Sequence, residues 1–159
     1  MARGYVYEIR SDLNDCPVGQ LEEGDLYENA GHAFDYILEL NEEYQESHRD
    51  HIIATLKKAG CKTGTDTDDN VSYIIVTESA KKNYFQDKFK KLQEYVKNLT
   101  LGEFSSGDGG AVYNIGHLVD DIYGDAVYLD GSYYDSFDYF IRNAEPGEKY
   151  YFGNVLQIH

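Results

Sequence analysis

The chain contains no tryptophan, one methionine, two prolines and two cysteines among its 159 residues. It also lacks an apolar run near the roughly 18 residues that a membrane-spanning helix needs, so we expect no membrane partner. The two cysteines, Cys16 and Cys61, are too few for a disulfide framework and are typical of a reducing compartment. Residues 1–5 lead into a segment of alternating side chains and not into the apolar region of a secretory signal peptide. A cytoplasmic location is therefore expected.

Positive charge is scarce and unevenly placed. The chain carries 14 basic and 29 acidic residues, a net charge of −15. Residues 1–50 carry −10, residues 51–100 carry +3 and residues 101–159 carry −8. Two of the three parts therefore project a negative field, which repels nucleic acid and anionic membranes and attracts basic protein surfaces. We expect no direct binding to nucleic acid.

Tyrosine is the residue type that the chain has in abundance. Its 16 tyrosines and 7 phenylalanines belong to a hydrophobic fraction of 42%, which supplies a core and argues against disorder. Eight of the 16 tyrosines follow residue 110. Tyrosine is also enriched in binding surfaces, so we expect both roles, with Tyr128, Tyr139 and Tyr150 inside.

Residue patterns predict the elements of the first half. Tyr5 to Ile9 alternate as a strand over residues 4–10, and a polar loop follows over residues 11–29. Apolar spacing then predicts a helix from Asn29 with an acidic face, and Ser47-His48-Arg49-Asp50 resembles a capping box that opens a second helix to Lys58. One long bent helix over residues 30–59 is the alternative.

The second half begins with a polar connection over residues 61–70 and a strand over residues 71–77, buried on both faces. A long amphipathic helix that carries six lysines then reaches Leu99. Residues 111–123 fit either a helix or a strand. A strand over residues 125–129 and a helix capped by Ser132 or Asp135 follow, and residues 150–158 form a closing strand or a hairpin around Gly153-Asn154.

These elements predict an α+β fold with mixed helices and a mostly antiparallel sheet. The glycine- and serine-rich residues 101–110 are the best boundary in the chain. They would connect an N-terminal α+β lobe, residues 1–100, with a C-terminal α+β lobe, residues 111–159. A single domain over residues 1–159 is the alternative.

No motif for catalysis, cofactors or metals is complete. Asp66-x-Asp68-x-Asn70 matches the start of a calcium loop, but Val71 and Thr77 stand where that loop needs glycine and glutamate. Cys16 and Cys61 are expected to be small structural thiols. We therefore assign no catalytic residue, no cofactor and no metal, and the sequence leaves enzyme activity open.

Acidic side chains recur along the early helix and, together with tyrosines, in the C-terminal third. The predicted partner-binding residues are Asp35, Glu39, Glu42, Glu43, Glu46, Asp120, Asp121, Asp130, Tyr133, Tyr134, Asp135 and Asp138. With its size, its charge and this ladder, to which Asp125 also belongs, the chain resembles as a class the small acidic phage-type anti-defence inhibitors, including anti-CRISPR and anti-restriction proteins. The resemblance implies a nucleic-acid mimic whose carboxylates stand in for phosphates.

The sequence thus favours an acidic protein-binding module, in its sharpest form an inhibitor that occupies the nucleic-acid site of a basic partner. In one alternative the chain is an α+β protein whose acid serves only solubility. In another it is a small hydrolase or transferase, which needs a concave site that gathers histidines and carboxylates. No oligomeric state is predicted.

Overall fold

The computed structural model describes residues 4–14, 17–30, 34–107, 110–120 and 124–159. The described residues form seven strands and six helices, and the α+β prediction is confirmed. In chain order the elements are β1 (Gly4–Arg10), α1 (Glu23–Ala30), β2 (Ile37–Glu39), α2 (Glu42–Lys58), β3 (Lys62–Asp66), β4 (Val71–Ile75), α3 (Glu78–Asn98), α4 (Leu101–Ser106), α5 (Ala111–Asp120), β5 (Ala126–Leu129), β6 (Ser132–Tyr134), α6 (Phe137–Asn143) and β7 (Lys149–Ile158).

All seven strands share one sheet in the order β3-β4-β7-β1-β5-β6, and β2 pairs with the C-terminal half of β7. Among the described strand pairs, β1 with β5 is parallel and the others are antiparallel. Strands from both sides of residues 101–110 therefore lie in the same sheet. The division into two lobes stays a prediction.

β7 carries a bulge opposite Glu8. Ile9 pairs with Phe152 and Tyr7 with Val155, so Glu8 alone faces both Gly153 and Asn154. The extra residue reverses the alternation of side chains, which is why Phe152 and Val155 belong to the same apolar cluster. The hairpin predicted as an alternative at Gly153-Asn154 is wrong, because β7 continues through the bulge to Ile158.

The two faces of the sheet carry separate apolar clusters. The larger contains Tyr7, Ile9 and Val127 of the sheet with buried residues of α2 and α6: Ile52, Leu56, Phe137, Phe140 and Ile141. The smaller joins Val6, Tyr128 and Leu156 to Leu21, Leu26 and Ile37. Tyr128 and Tyr150 are buried as predicted, whereas Tyr139 is 41% exposed and its predicted burial is wrong.

The predicted helix from Asn29 and its acidic face are wrong. Residues 37–39 form β2. The helix α2 begins at Glu42, because Asn41 Oδ1 accepts a hydrogen bond from the Tyr44 backbone amide at 2.9 Å and so caps the helix. Ser47 therefore lies inside α2 and opens no helix, and the single bent helix over residues 30–59 is equally wrong. Pairing of β2 with β7 overrides the helical spacing of these apolar residues.

Four further predictions are corrected. The predicted loop contains α1, and the polar connection over residues 61–70 contains β3. Residues 132–134 form β6, so α6 begins after Ser136 and not after Ser132 or Asp135. β4 buries only Ile74, so its expected burial on both faces is wrong.

Other predictions are confirmed. The first strand has the predicted bounds, and α3 begins after Thr77, whose hydroxyl accepts the Ala80 amide at 3.1 Å. Residues 111–120 form a helix, which decides between helix and strand for this part of residues 111–123, and residues 121–123 lie outside the described residues.

Within the described residues, the structure has no helix of the length and apolar character needed to cross a membrane.

Candidate functional site

The bulge in β7 leaves backbone groups outside the regular ladder, and three side chains engage them. The backbone amide of Asn154 donates a hydrogen bond to Glu8 Oε1 at 2.8 Å. The Val155 amide donates to Gln45 Oε1 at 2.9 Å, and the Gly153 carbonyl accepts Arg49 Nη1 at 2.9 Å. Two residues of α2 and one of β1 therefore stabilise the bulge, which fixes the position of α2 over β7.

Glu8 also holds a loop. Its side chain is fully buried and accepts the amides of Gly19 at 2.8 Å and Gln20 at 3.1 Å. Arg10 Nη2 lies 3.5 Å from Glu8 Oε2, so the carboxylate has both amide and cationic partners. A Cβ at position 153 would lie only 2.2 Å from Glu8 Oε1. Glycine is thus required where the bulge meets this carboxylate.

The bulge and the loop line a polar groove of about 480 Å³. We call this the acidic groove. Its walls are α2, the turn between β3 and β4, and the loop at residues 18–19, and its floor is the bulge. The described lining residues are Val18, Gly19, Glu42, Glu46, Arg49, Asp50, Thr65, Asn70, Val71, Ser72, Phe152, Gly153 and Asn154.

Three carboxylates of α2 line the acidic groove. Glu42, Glu46 and Asp50 follow each other at intervals of four residues, so they lie on the same side of the helix. Arg49 is the one cation among the described lining residues, and it is already engaged by Glu42 at 2.6 Å and by the Gly153 carbonyl. The groove therefore presents an excess of negative charge to solvent.

The acid continues on the turn between β3 and β4. Asp68 and Asp69 are exposed there, and Asn70 adopts a left-handed conformation with φ of 53° before β4 begins. Asp69 and Val71 also line a smaller cavity with Leu13, Pro17 and Val18. The acidic groove and this cavity share Val18 and Val71. The loop that contains Val18 is therefore bordered by the carboxylates of α2 in the groove and by Asp69 of the turn in the cavity.

No protein-family model, no curated protein and no solved structure matches this chain. Its function must therefore be argued from geometry.

The structure brings together only part of the predicted acidic ladder. Glu42 and Glu46 line the acidic groove, and Glu43 is exposed on α2 beside them. Glu39 is exposed on β2. Asp35 is also exposed, and its amide donates to the His159 carbonyl at 2.8 Å. These five residues do not form the single helical face that the spacing predicted.

The predicted residues of the C-terminal third are dispersed. Asp130 occupies the tight turn between β5 and β6, where its carboxylate accepts the amide and hydroxyl of Ser11 at 2.9 and 2.7 Å. Tyr133 packs edge-on against Phe34, and Tyr134 stacks on Tyr139. Asp135 is exposed, Asp120 ends α5, and Asp121 lies outside the described residues.

Asp138 differs from the other predicted residues because it is 3% exposed. Lys88 forms an ion pair with its carboxylate, and the Tyr84 hydroxyl donates to Oδ1 at 3.0 Å. These groups line a cavity of about 340 Å³ between α3 and α6, together with Ile52, Phe85, Asp87, Asp125 and Phe137. Asp125 also accepts the Tyr5 amide at 3.0 Å.

Burial changes the pKa of several groups. Burial and then the charge of Asp135 raise the pKa of Tyr133 to about 12. Burial alone raises the pKa of the Cys61 thiol to about 11, which disfavours the reactive thiolate.

Within the described part of the chain, no three histidine, cysteine or acidic side chains are grouped so that they could hold a metal ion.

Two residues of this site are absent from the predicted set: Asp50, which lines the acidic groove, and Glu8, which holds the loop and the bulge beside it. The sequence analysis places Asp50 in a capping box, although its four-residue spacing from Glu46 also extends the acidic row along α2. Glu8 is a charged residue between Tyr7 and Ile9 in an apolar strand, and that contrast was the available signal.

Proposed function

We propose that this chain is an acidic protein-binding module that docks on a basic protein surface through the acidic groove. The observation that carries the proposal is the row of Glu42, Glu46 and Asp50 along one wall, with Arg49 already engaged by Glu42 and by the bulge. A lysine or arginine side chain entering the groove would meet carboxylates from α2 and hydrogen-bond acceptors from the turn. Such charge complementarity guides association and selects partners.

In its finer form, the proposal makes the basic partner a nucleic-acid-binding protein and the chain its inhibitor. Residues four apart on a helix repeat about every 6 Å along its axis, so the three carboxylates form a regular row of negative charge. The class-level resemblance to acidic anti-defence inhibitors points to the same role. Action in the cytoplasm, where such partners work, belongs to this proposal.

The first test uses a short oligo-arginine peptide as the probe, with binding measured by calorimetry. Replacing Glu42, Glu46 and Asp50 by Gln, Gln and Asn should weaken binding about tenfold or more, since exposed ion pairs contribute up to about 1 kcal/mol each. The matched control replaces Glu28, Glu145 and Glu148 by Gln, three exposed residues outside the groove. Equal weakening in both variants would show that only the total net charge matters and not its position in the groove. That result would favour the alternative in which the acidic residues serve solubility alone.

Salt gives the second readout. Between about 0.05 M and about 0.5 M salt the screening length falls severalfold, so binding to a basic surface should weaken steeply. A partner captured at low salt from a host extract should release when salt is raised, and should lose its nucleic acid when the chain is added. A captured partner that keeps its nucleic acid would contradict the inhibitor form, while leaving the binding module in place.

The cavity between α3 and α6 favours a second candidate function, a small hydrolase or transferase. It gathers Asp125, Asp138 and Lys88 from distant segments into about 340 Å³. Lys88 and Tyr84 already engage Asp138, which accounts for the burial of this carboxylate without any ligand. Asp125→Asn tests the candidate: loss of a hydrolytic or transfer activity with retained folding would support it.

A further inference from the structure

The segment from Glu78 to Asp120, which contains α3, α4 and α5, is here called the arm. It contributes little to the two apolar clusters. In α3 only Ala80 is buried, and no described residue of α4 or α5 is buried. Six large apolar side chains of the arm are instead exposed: Phe89, Val96, Leu101, Phe104, Tyr113 and Val119. The arm therefore has apolar residues at helical spacing without a core to bury them in.

Two of these exposed residues, Phe89 and Val119, line an apolar pocket of about 170 Å³ between α3 and α5. Phe85, Phe89 and Leu92 line it from α3, and Leu118 and Val119 from α5. Lys88 and Arg142 complete the described lining, which includes no carboxylate. In a chain of net charge −15, an apolar pocket without acid at its rim is a local exception.

The charge of the whole arm is also exceptional. Its six lysines are balanced by six acidic residues, so residues 78–120 carry no net charge and the entire −15 lies elsewhere in the chain. Two copies that approach through any other surface bring strongly negative regions together. Two copies that meet through their arms place neutral apolar surfaces in contact and keep their negative regions apart.

We propose that the arm is a self-association surface through which two copies of this chain form a symmetric dimer. The six exposed side chains present on the order of 600 Å² of apolar area per copy, if a full aromatic side chain is taken as about 200 Å². Two such patches bury roughly 1,200 Å², which reaches the range of specific interfaces. A two-fold axis closes the assembly, because each copy offers the same patch to the other.

Sedimentation equilibrium over a range of protein concentrations tests the proposal with the full chain. We expect a mass approaching twice 18.2 kDa as concentration rises. The double variant Phe89→Glu and Phe104→Glu should raise the dissociation constant about tenfold or more, because it places charge in the apolar contact. Tyr44→Glu is the matched control, since Tyr44 is equally exposed at 61% but lies on α2. It should dimerise like the parent chain.

Salt separates this surface from the acidic groove. Screening weakens repulsion between the two negative copies, so dimerisation should hold or strengthen as salt rises, whereas groove binding should weaken. The triple groove variant should dimerise normally. A chain that stays monomeric at every concentration and salt, or a dimer that the double arm variant leaves unchanged, would overturn the proposal. Neither result bears on the groove.

Discussion

Phe140 and Phe104 both lie on short helices, yet Phe140 is fully buried and Phe104 is 65% exposed. Phe140 packs edge-on against Phe137 and Tyr150 in the cluster over the sheet. Phe104 belongs to the arm, whose described residues form no buried cluster of their own. The same side chain therefore stabilises the fold in one region and remains available for association in the other.

The two regions also differ in charge. Outside the arm the chain carries all of its net −15, and the acidic groove concentrates part of it over the bulge. The arm is neutral, with lysines that balance its acid. We infer that the acidic region and the arm serve different contacts, one that salt weakens and one that salt tolerates.

The largest expected effect separates the two phenylalanines. Phe140→Ala should lower the free energy of unfolding by about 3–5 kcal/mol, because it leaves a cavity in a packed cluster. Phe104→Ala should change it by no more than about 0.5 kcal/mol at concentrations where the chain is monomeric. Chemical denaturation of both variants measures the difference. Similar losses of unfolding free energy in the two variants would show that Phe104 also packs in an apolar core.

The next effect concerns the joint between the regions, where Lys88 of α3 pairs with Asp138 of α6. Lys88→Met should cost about 2–3 kcal/mol, since it leaves the nearly buried Asp138 carboxylate without its cation. Lys90→Met is the control, because Lys90 is exposed on α3 and should cost almost nothing. If thermal and chemical unfolding show no difference between the two variants, the pair does not hold the arm to the sheet.

A smaller effect is expected in the acidic groove. Glu8→Gln should lower the free energy of unfolding by about 1–3 kcal/mol, because an amide NH₂ then faces backbone amides that need an acceptor. It should also weaken binding of the oligo-arginine probe, since the loop at residues 18–19 forms a groove wall. Glu22→Gln is the exposed control. If Glu8→Gln leaves the free energy of unfolding unchanged, the Glu8 carboxylate is not what holds the loop at residues 18–19.

The smallest effect appears only at alkaline pH. Tyr133 ionises near its ordinary value of 10.0 in the unfolded chain but at about 12 in the folded chain. The unfolded state therefore loses its proton first, and stability present below pH 10 falls as the pH rises toward 12. Tyr133→Phe should flatten this decline while leaving stability near neutral pH almost unchanged. Denaturation midpoints measured across that range provide the check.

Elements with strong local signals could be predicted from the sequence. β1 alternates, and α3 has both a capping threonine and a regular apolar stripe. The tight turn at Asp130-Gly131, with φ of 48° and 87°, also had a local signal, because Asp-Gly between apolar runs is typical of a two-residue hairpin. The predicted elements do not include this turn, and they therefore lack β6.

Features that depend on distant contacts could not be predicted. Residues 34–40 have helical spacing, but residues 37–39 form a strand because they pair with residues 156–158 of β7. The acidic groove likewise depends on the bulge, where Gly153 and Asn154 face Glu8 from the other end of the chain. Glu42 and Glu46 were identified by their charge and by their spacing in the sequence. Their position over a groove could not be inferred from spacing along one helix.

The bulge has a consequence for how this protein can change over generations. Substitutions at Glu8, Gln45 or Arg49 alter the partners of the bulge but leave the number of residues in β7 unchanged. Loss of one residue at Gly153 or Asn154 would restore regular pairing opposite Glu8, while Val155 would still pair with Tyr7 and the later residues of β7 would keep their faces. The groove can therefore be tuned by point mutation, but only a change in chain length can erase the bulge that lines it, and that change would leave the residues of both apolar clusters on their present faces.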